Sequence, residues 1–257
     1  MNGLALVGHQ FRYDQKAFWR NPASVFFTVM FPVIVFLILA VVFDGEVVEV
    51  RGGIEATTYY VPSIMSLAII SATMQTLAMT LVIAREDGRL KRGRGTPMPP
   101  WVFIASRIGN SIVVALMMLA LLAAIGGALY GVELPWERLP AILLALVVGA
   151  ATFCCLGIAL TAVIPSQDAA AAIVNALLLP LYFLSGVFIP EDELPDGVIA
   201  FADLFPVRHF FHAFFDAYVP AGGPAVAWGD LAILALWGLA GLLLAIKFFR
   251  WTPKSGG

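Results

Sequence analysis

The sequence predicts an all-α polytopic membrane protein. It is expected to have six transmembrane helices, an N-terminal cytosolic interfacial helix, and an external re-entrant or interfacial helical segment between spans five and six. Three observations predict this class. The 257-residue chain is 61% hydrophobic, with a mean hydropathy of +0.92, well above the roughly 45–50% apolar content of a soluble domain. Its apolar residues gather into six long stretches, each near the roughly 20 residues an α-helix needs to cross a bilayer. Its Lys and Arg residues are shared unequally between alternate loops, the usual mark of a fixed orientation in a membrane.

The elements follow in order, within a single transmembrane domain covering 1–257. Residues 1–22 interleave Leu4, Val7, Phe11, Phe18 and Trp19 with Arg12, Lys16 and Arg20. Basic and aromatic residues at loosely helical spacing suit a helix lying in the cytosolic headgroup region. Asn21-Pro22 then breaks that helix. The spans are expected at 24–43, 60–84, 101–130, 139–164, 168–189 and 228–249. Pro32 should kink the first, since neighbouring helices can re-satisfy the freed backbone. The small residues at 149–152 and Gly157 should let the fourth pack closely on its neighbours. Asp168 falls in the first turn of the fifth, where the helix dipole favours a negative charge. Residues 190–219 are bulky and apolar but too interrupted to span, and read as an external re-entrant or interfacial pair.

Loop charge sets the expected orientation. With six spans, the face bearing both termini takes Arg12, Lys16, Arg20, Arg85, Arg89, Lys91, Arg92, Arg94, Arg107, Lys247, Arg250 and Lys254. The opposite face receives only Arg51, Arg138 and Arg208 among the Lys and Arg residues. Positive charge accumulates on the cytosolic side, so both termini and the loop 85–100 are expected there. The first apolar stretch lies too far from the start and is too long for a cleaved secretory signal.

Several chemistries are disfavoured. A phosphate-binding loop needs G-x-x-x-x-G-K-[ST] and an intramembrane zinc hydrolase needs H-E-x-x-H; the chain has neither. Cys154 and Cys155 are neighbours within the fourth span and read as small packing residues, because a vicinal bridge would strain the backbone. Gln75 and Asn175 stand out as polar groups inside spans. Interhelical hydrogen bonding is their simplest role, and lining a translocation route is the second. His209, His212 and Asp216 share one helical face. Three ligands on one strip make a weak metal site, so the strip reads as the wet face of an interfacial helix whose phenylalanines sit in lipid. Within it Phe210, Phe211, Phe214 and Phe215 are the candidate external gate.

The basic interfacial helix, "RNP", the six spans, "REDGRLKRGRGTPMPP" and "LSGVFIPEDELP" together resemble the membrane subunit of type-2 ABC exporters. Within that family the chain looks most like bacterial daunorubicin and multidrug-resistance permeases. The most specific stretches are Arg85-Glu86 with the basic residues and Thr96-Pro97, and Ser185-Gly186 with Pro190 and Leu194-Pro195. The resemblance implies a half-transporter in the bacterial cytoplasmic membrane, paired with an identical or homologous permease and driven by two ABC ATPase subunits. It implies no cofactor of its own, ATP and Mg being bound by the ATPase. It also implies that 85–100 contains a coupling helix, with Arg85, Glu86, Arg89, Lys91 and Arg92 gripping the motor. Gly93 stands where relatives often carry an apolar residue, and glycine weakens a helix by roughly 1 kcal/mol relative to alanine. The coupling helix is therefore expected to end early, leaving Arg94 a lesser contact. The function expected is export of an amphipathic, drug-like molecule. The alternatives are export of a lipid or glycan precursor on the same fold and, more distantly, a membrane scaffold without transport.

Overall fold

The computed structural model describes residues 3–94, 99–220, 223–249 and 252. Thr96, Pro97, Arg250, Trp251 and Lys254 lie outside the described residues, as do the side chains of Leu4, Arg51, Arg92 and Arg94. Helix α1 (Gly3–Trp19) ends where the Asn21-Pro22 break is expected. The Asn21 side chain then accepts a hydrogen bond from the Ser24 N–H at 3.3 Å, and Pro22 opens the next helix. A missing N–H is harmless there, because first-turn donors have no intrahelical partner.

The first span, α2 (Pro22–Val42), carries its irregularity as a π turn at Phe26–Met30 rather than as a simple kink at Pro32. The Phe31 N–H reaches back to Phe26 O, so Pro32 enters near the start of a new helical segment. A short hairpin follows, in which β1 (Val47–Val48) pairs antiparallel with β2 (Ile54–Glu55). The second span, α3 (Ala56–Glu86), is 31 residues long and contains a second π turn at Ser71–Gln75. Helix α4 (Arg89–Arg94) lies in the basic loop, and its described backbone is helical through Gly93 and Arg94. The remaining helices are α5 (Pro100–Tyr130), α6 (Leu139–Leu160), α7 (Gln167–Leu184), α8 (Asp196–Ala202), α9 (Pro206–Tyr218) and α10 (Trp228–Phe248).

Six of the described helices are long and apolar enough to cross a membrane, as expected. Two of them form the centre. The apolar windows of α3 and the α6 span are 72% and 67% buried within the protein, against 22–33% for the other four. The small residues of α6 explain its central place. A Cβ on Gly157 would lie 2.9 Å from the Met74 carbonyl oxygen, so glycine lets α6 meet the backbone of the α3 π turn. Gly149 gives the same clearance to the ring of Phe210.

Two spans end sooner than their hydropathy suggests. The fourth stops at Leu160 rather than 164, and the fifth at Leu184 rather than 189. Just beyond the fifth, Gly186 sits at φ +87°, a left-handed conformation that terminates the helix and that side chains disfavour. The segment beyond does form a helical pair, α8 and α9, bent by 97°. The expected lipid setting of its phenylalanines is corrected. Phe210, Phe211, Phe214 and Phe215 are 0–3% exposed, because α9 packs inward against α3, α6 and α10.

Candidate functional site

Two π turns meet a polar pair near mid-bundle. Thr28 in the α2 π turn shares a 3.0 Å hydroxyl–hydroxyl hydrogen bond with Thr76, just past the α3 π turn. Gln75, within that second turn, donates from Nε2 to Asn175 Oδ1 on α7 at 2.8 Å. The interhelical hydrogen bond expected of these two residues is present. π turns release backbone groups from the regular ladder and recur at functional positions. Around them lies a cavity of about 290 Å³ between α2, α3 and α7, whose lining includes Ser24, Phe27, Gln75, Thr76, Met79 and Asn175.

A second cavity of about 150 Å³ adjoins it, sharing Asn21, Ser24, Thr76, Thr80 and Ile83 in its lining. Its far wall holds an ion pair that the sequence reading missed. Asp14 of α1 lies 3.3 Å from Arg107 of α5 and also accepts from Gln10 Nε2 at 3.0 Å. Burial raises the Asp14 carboxyl above its ordinary value, while Arg107 and the Gln10 and Ser106 hydrogen bonds pull it down. The only hint in sequence was Asp14 among the basic residues of an amphipathic helix. A larger cavity of about 560 Å³ lies between α6, α7 and α10, and its lining side chains are apolar apart from the indole N–H of Trp237.

The basic loop divides into a buried root and an exposed tip. Arg85 is 1% exposed. Its Nη1 donates to Thr161 O at 2.7 Å, its Nη2 to Ile164 O at 2.8 Å and Pro165 O at 3.5 Å, and its Nε to Glu86 Oε1 at 2.7 Å. Its expected placement as a surface contact is corrected: the guanidinium is spent inside the chain, on carbonyls left open where α6 ends. Positive charge is favoured there by the helix dipole. Glu86, its partner, has a side chain only 7% exposed. Arg89 is exposed and pairs with Asp87 at 2.9 Å, and Lys91 is exposed. Gly88, at φ +70°, makes the turn between root and tip.

At the opposite end, charged residues knit the bent pair to its surroundings. Arg208 donates to Asp203 Oδ1 at 2.6 Å and to Glu191 Oε2 at 3.2 Å, and His212 contacts the same Glu191 carboxylate. His209 is held between Asp230 Oδ1 at 2.7 Å and the Asp203 carbonyl at 2.8 Å. The two histidines are thus structural tethers rather than a wet strip. Burial acts to raise the Glu191 carboxyl, but the combined pull of His212 and Arg208 brings it below its ordinary value. "LSGVFIPEDELP" finds its reason here. The Tyr59 hydroxyl donates to Gly186 O, and a Cβ on Gly186 would stand 2.7 Å from the Phe211 ring.

The sequence model of the ABC-2 type transporter family matches residues 7–219, spanning α1 through α9. The chain belongs to that family. This ABC-2 permease is 23% identical over 238 residues to the "Putative transport permease YvfS" of Bacillus subtilis, covering 92% of this chain and 94% of the relative. It is 20% identical over 174 residues to the "Probable multidrug ABC transporter permease YbhR" of Escherichia coli K12, covering 67% of this chain and 47% of that one. Membership makes it the transmembrane subunit of an ABC transporter, with ATP hydrolysis left to a partner ABC ATPase.

Proposed function

We propose that this permease exports an amphipathic small molecule across the bacterial cytoplasmic membrane, with both termini and the basic loop in the cytosol. The observation that carries this reading is the 290 Å³ cavity at the π turns. Phe27 and Met79 offer it an apolar wall, while Gln75, Thr76, Ser24 and Asn175 offer hydrogen bonds. A molecule with an apolar body and a polar group matches that mixture, as ligand sites generally combine apolar walls with few polar groups. The multidrug name of the Escherichia coli relative points the same way.

In this reading a second permease, identical or homologous, closes the cavity from the α2 and α7 side, where only 28% of each apolar window is buried within the chain. Two ATPases bind ATP and Mg and push on α4, through Arg89, Lys91 and Arg92. Phe210, Phe211, Phe214 and Phe215 then act as the packed floor of the external cap and bound the route from outside. The test is uptake of daunorubicin and ethidium by everted vesicles containing the permease and its ATPase. ATP-dependent uptake is expected, together with its loss and the loss of ATPase copurification in the Arg89→Glu, Lys91→Glu double variant. Undiminished ATPase capture and uptake in that variant would remove α4 from the motor interface. A wild-type complex that takes up neither dye would refute the amphipathic substrate.

A further inference from the structure

Among the described side chains of the basic loop, Arg85 is buried out of reach of a soluble partner. Arg85 sits in the last turn of α3, three residues before the left-handed turn at Gly88 that leads into α4. Its guanidinium reaches carbonyls at 161, 164 and 165, beyond the end of α6, and Ser166 immediately afterwards caps α7 by accepting from the Ala169 N–H at 3.3 Å. One side chain therefore joins the root of α4, the end of the fourth span and the start of the fifth. The planar fork of Arg allows several fixed bonds at once, which a lysine cannot copy.

We propose that Arg85 is the positioning residue that carries motor movement from α4 into the turn between spans four and five. This rests on the reading of α4 as the element the ATPase pushes. Three features support it. The connection from Arg85 to α4 is short and stiff, with the Asp87 N–H bonded to Ile83 O and the Gly88 N–H to Arg85 O, each at 3.0 Å. The bonds from the guanidinium are short and buried, so water does not compete for them. A second tie, Gln75 to Asn175, joins α3 to α7 itself ten residues earlier in α3, about 15 Å away by helical rise. One tie holds the turn that leads into α7 and the other holds α7 itself, so α7 has little freedom to tilt independently of α3. Displacing α4 then moves the cavity wall that carries Asn175, without any contact between ATPase and Arg85.

The experiment measures the distance between spin labels at Asp87→Cys, at the root of α4, and Gln167→Cys, in a background with Cys154 and Cys155 changed to Ala. Both labelled positions are exposed. The permease–ATPase complex is compared without nucleotide and after trapping with ATP and vanadate. With Arg85 intact, the pair is expected to keep one narrow distance in both states. With Arg85→Leu, trapping is expected to shift the distance by more than the width of its distribution, and Arg85→Lys should fall between. Should Arg85→Leu not fold, Arg85→Lys carries the same comparison. A shift with Arg85 intact overturns the proposal, as does a variant pair that remains as fixed as the intact one. Failure of the wild-type ATPase to copurify would instead remove the motor reading, and this inference with it.

Discussion

Gly149 and Phe210 form a lock whose energetics can be worked from the structure. A Cβ built on Gly149 would stand 2.2 Å from Phe210 Cε2 and 2.3 Å from Cδ2, far inside contact distance. The ring cannot swing away freely. It is fully buried, edge-on to Phe153 at 5.5 Å between centroids and tilted against Phe214 at 5.8 Å. Gly149→Ala must therefore push helices apart, an overpacking cost of about 1–3 kcal/mol. Phe210→Ala opens a cavity and should cost about 3–5 kcal/mol. The double variant should cost less than the sum by roughly the overpacking term, because the new methyl enters space the ring has left. Thermal unfolding of the purified permease in detergent provides the assay, each kcal/mol being worth about 2–4 °C in Tm at this chain size. Simple additivity of the two losses, or an unaltered Tm for Gly149→Ala, would refute the seating of α9 against α6. It would also restore the reading of these phenylalanines as lipid-facing.

Three further outcomes are expected. Gln75→Leu leaves Asn175 without its bond to α3, and should lower stability by about 0.6–2 kcal/mol, whereas Gln75→Leu with Asn175→Leu should recover most of that loss yet reduce ATP-driven dye uptake. The Glu191 carboxyl is held below its ordinary 4.5, so its contribution to stability is complete above that value and is lost as pH falls through the lowered one. A Tm profile from neutral to acid pH should show this limb in the wild type and a flatter one in Glu191→Gln. Glu86→Lys would put a second cation beside buried Arg85 in a site 2–7% exposed, so it should lower Tm far more than Arg89→Glu, which breaks only an exposed pair worth about 0–1 kcal/mol.

Much of the architecture was legible in the sequence, since crossing a bilayer is a local requirement. Roughly 20 apolar residues must occur together because no water is present to satisfy an irregular backbone, and the positions of all six spans followed within a few residues. Asn21-Pro22 as a break and the small residues of α6 as a packing surface were local in the same sense. Tertiary structure decided which apolar side chains face protein. Hydropathy cannot separate a phenylalanine against lipid from one against another helix, because hydrocarbon is as apolar as the protein interior. Phe210 and its neighbours were misplaced for that reason. Only the fold could pair Arg85 with carbonyls 76–80 residues away, Gln75 with Asn175 100 residues away, and Asp14 with Arg107. Charge in a sequence marks a loop as basic, but whether a given cation reaches solvent depends on the acceptors that other segments bring to it. At Arg85 the open end of α6 supplies them, and a residue that reads as surface charge becomes an internal joint.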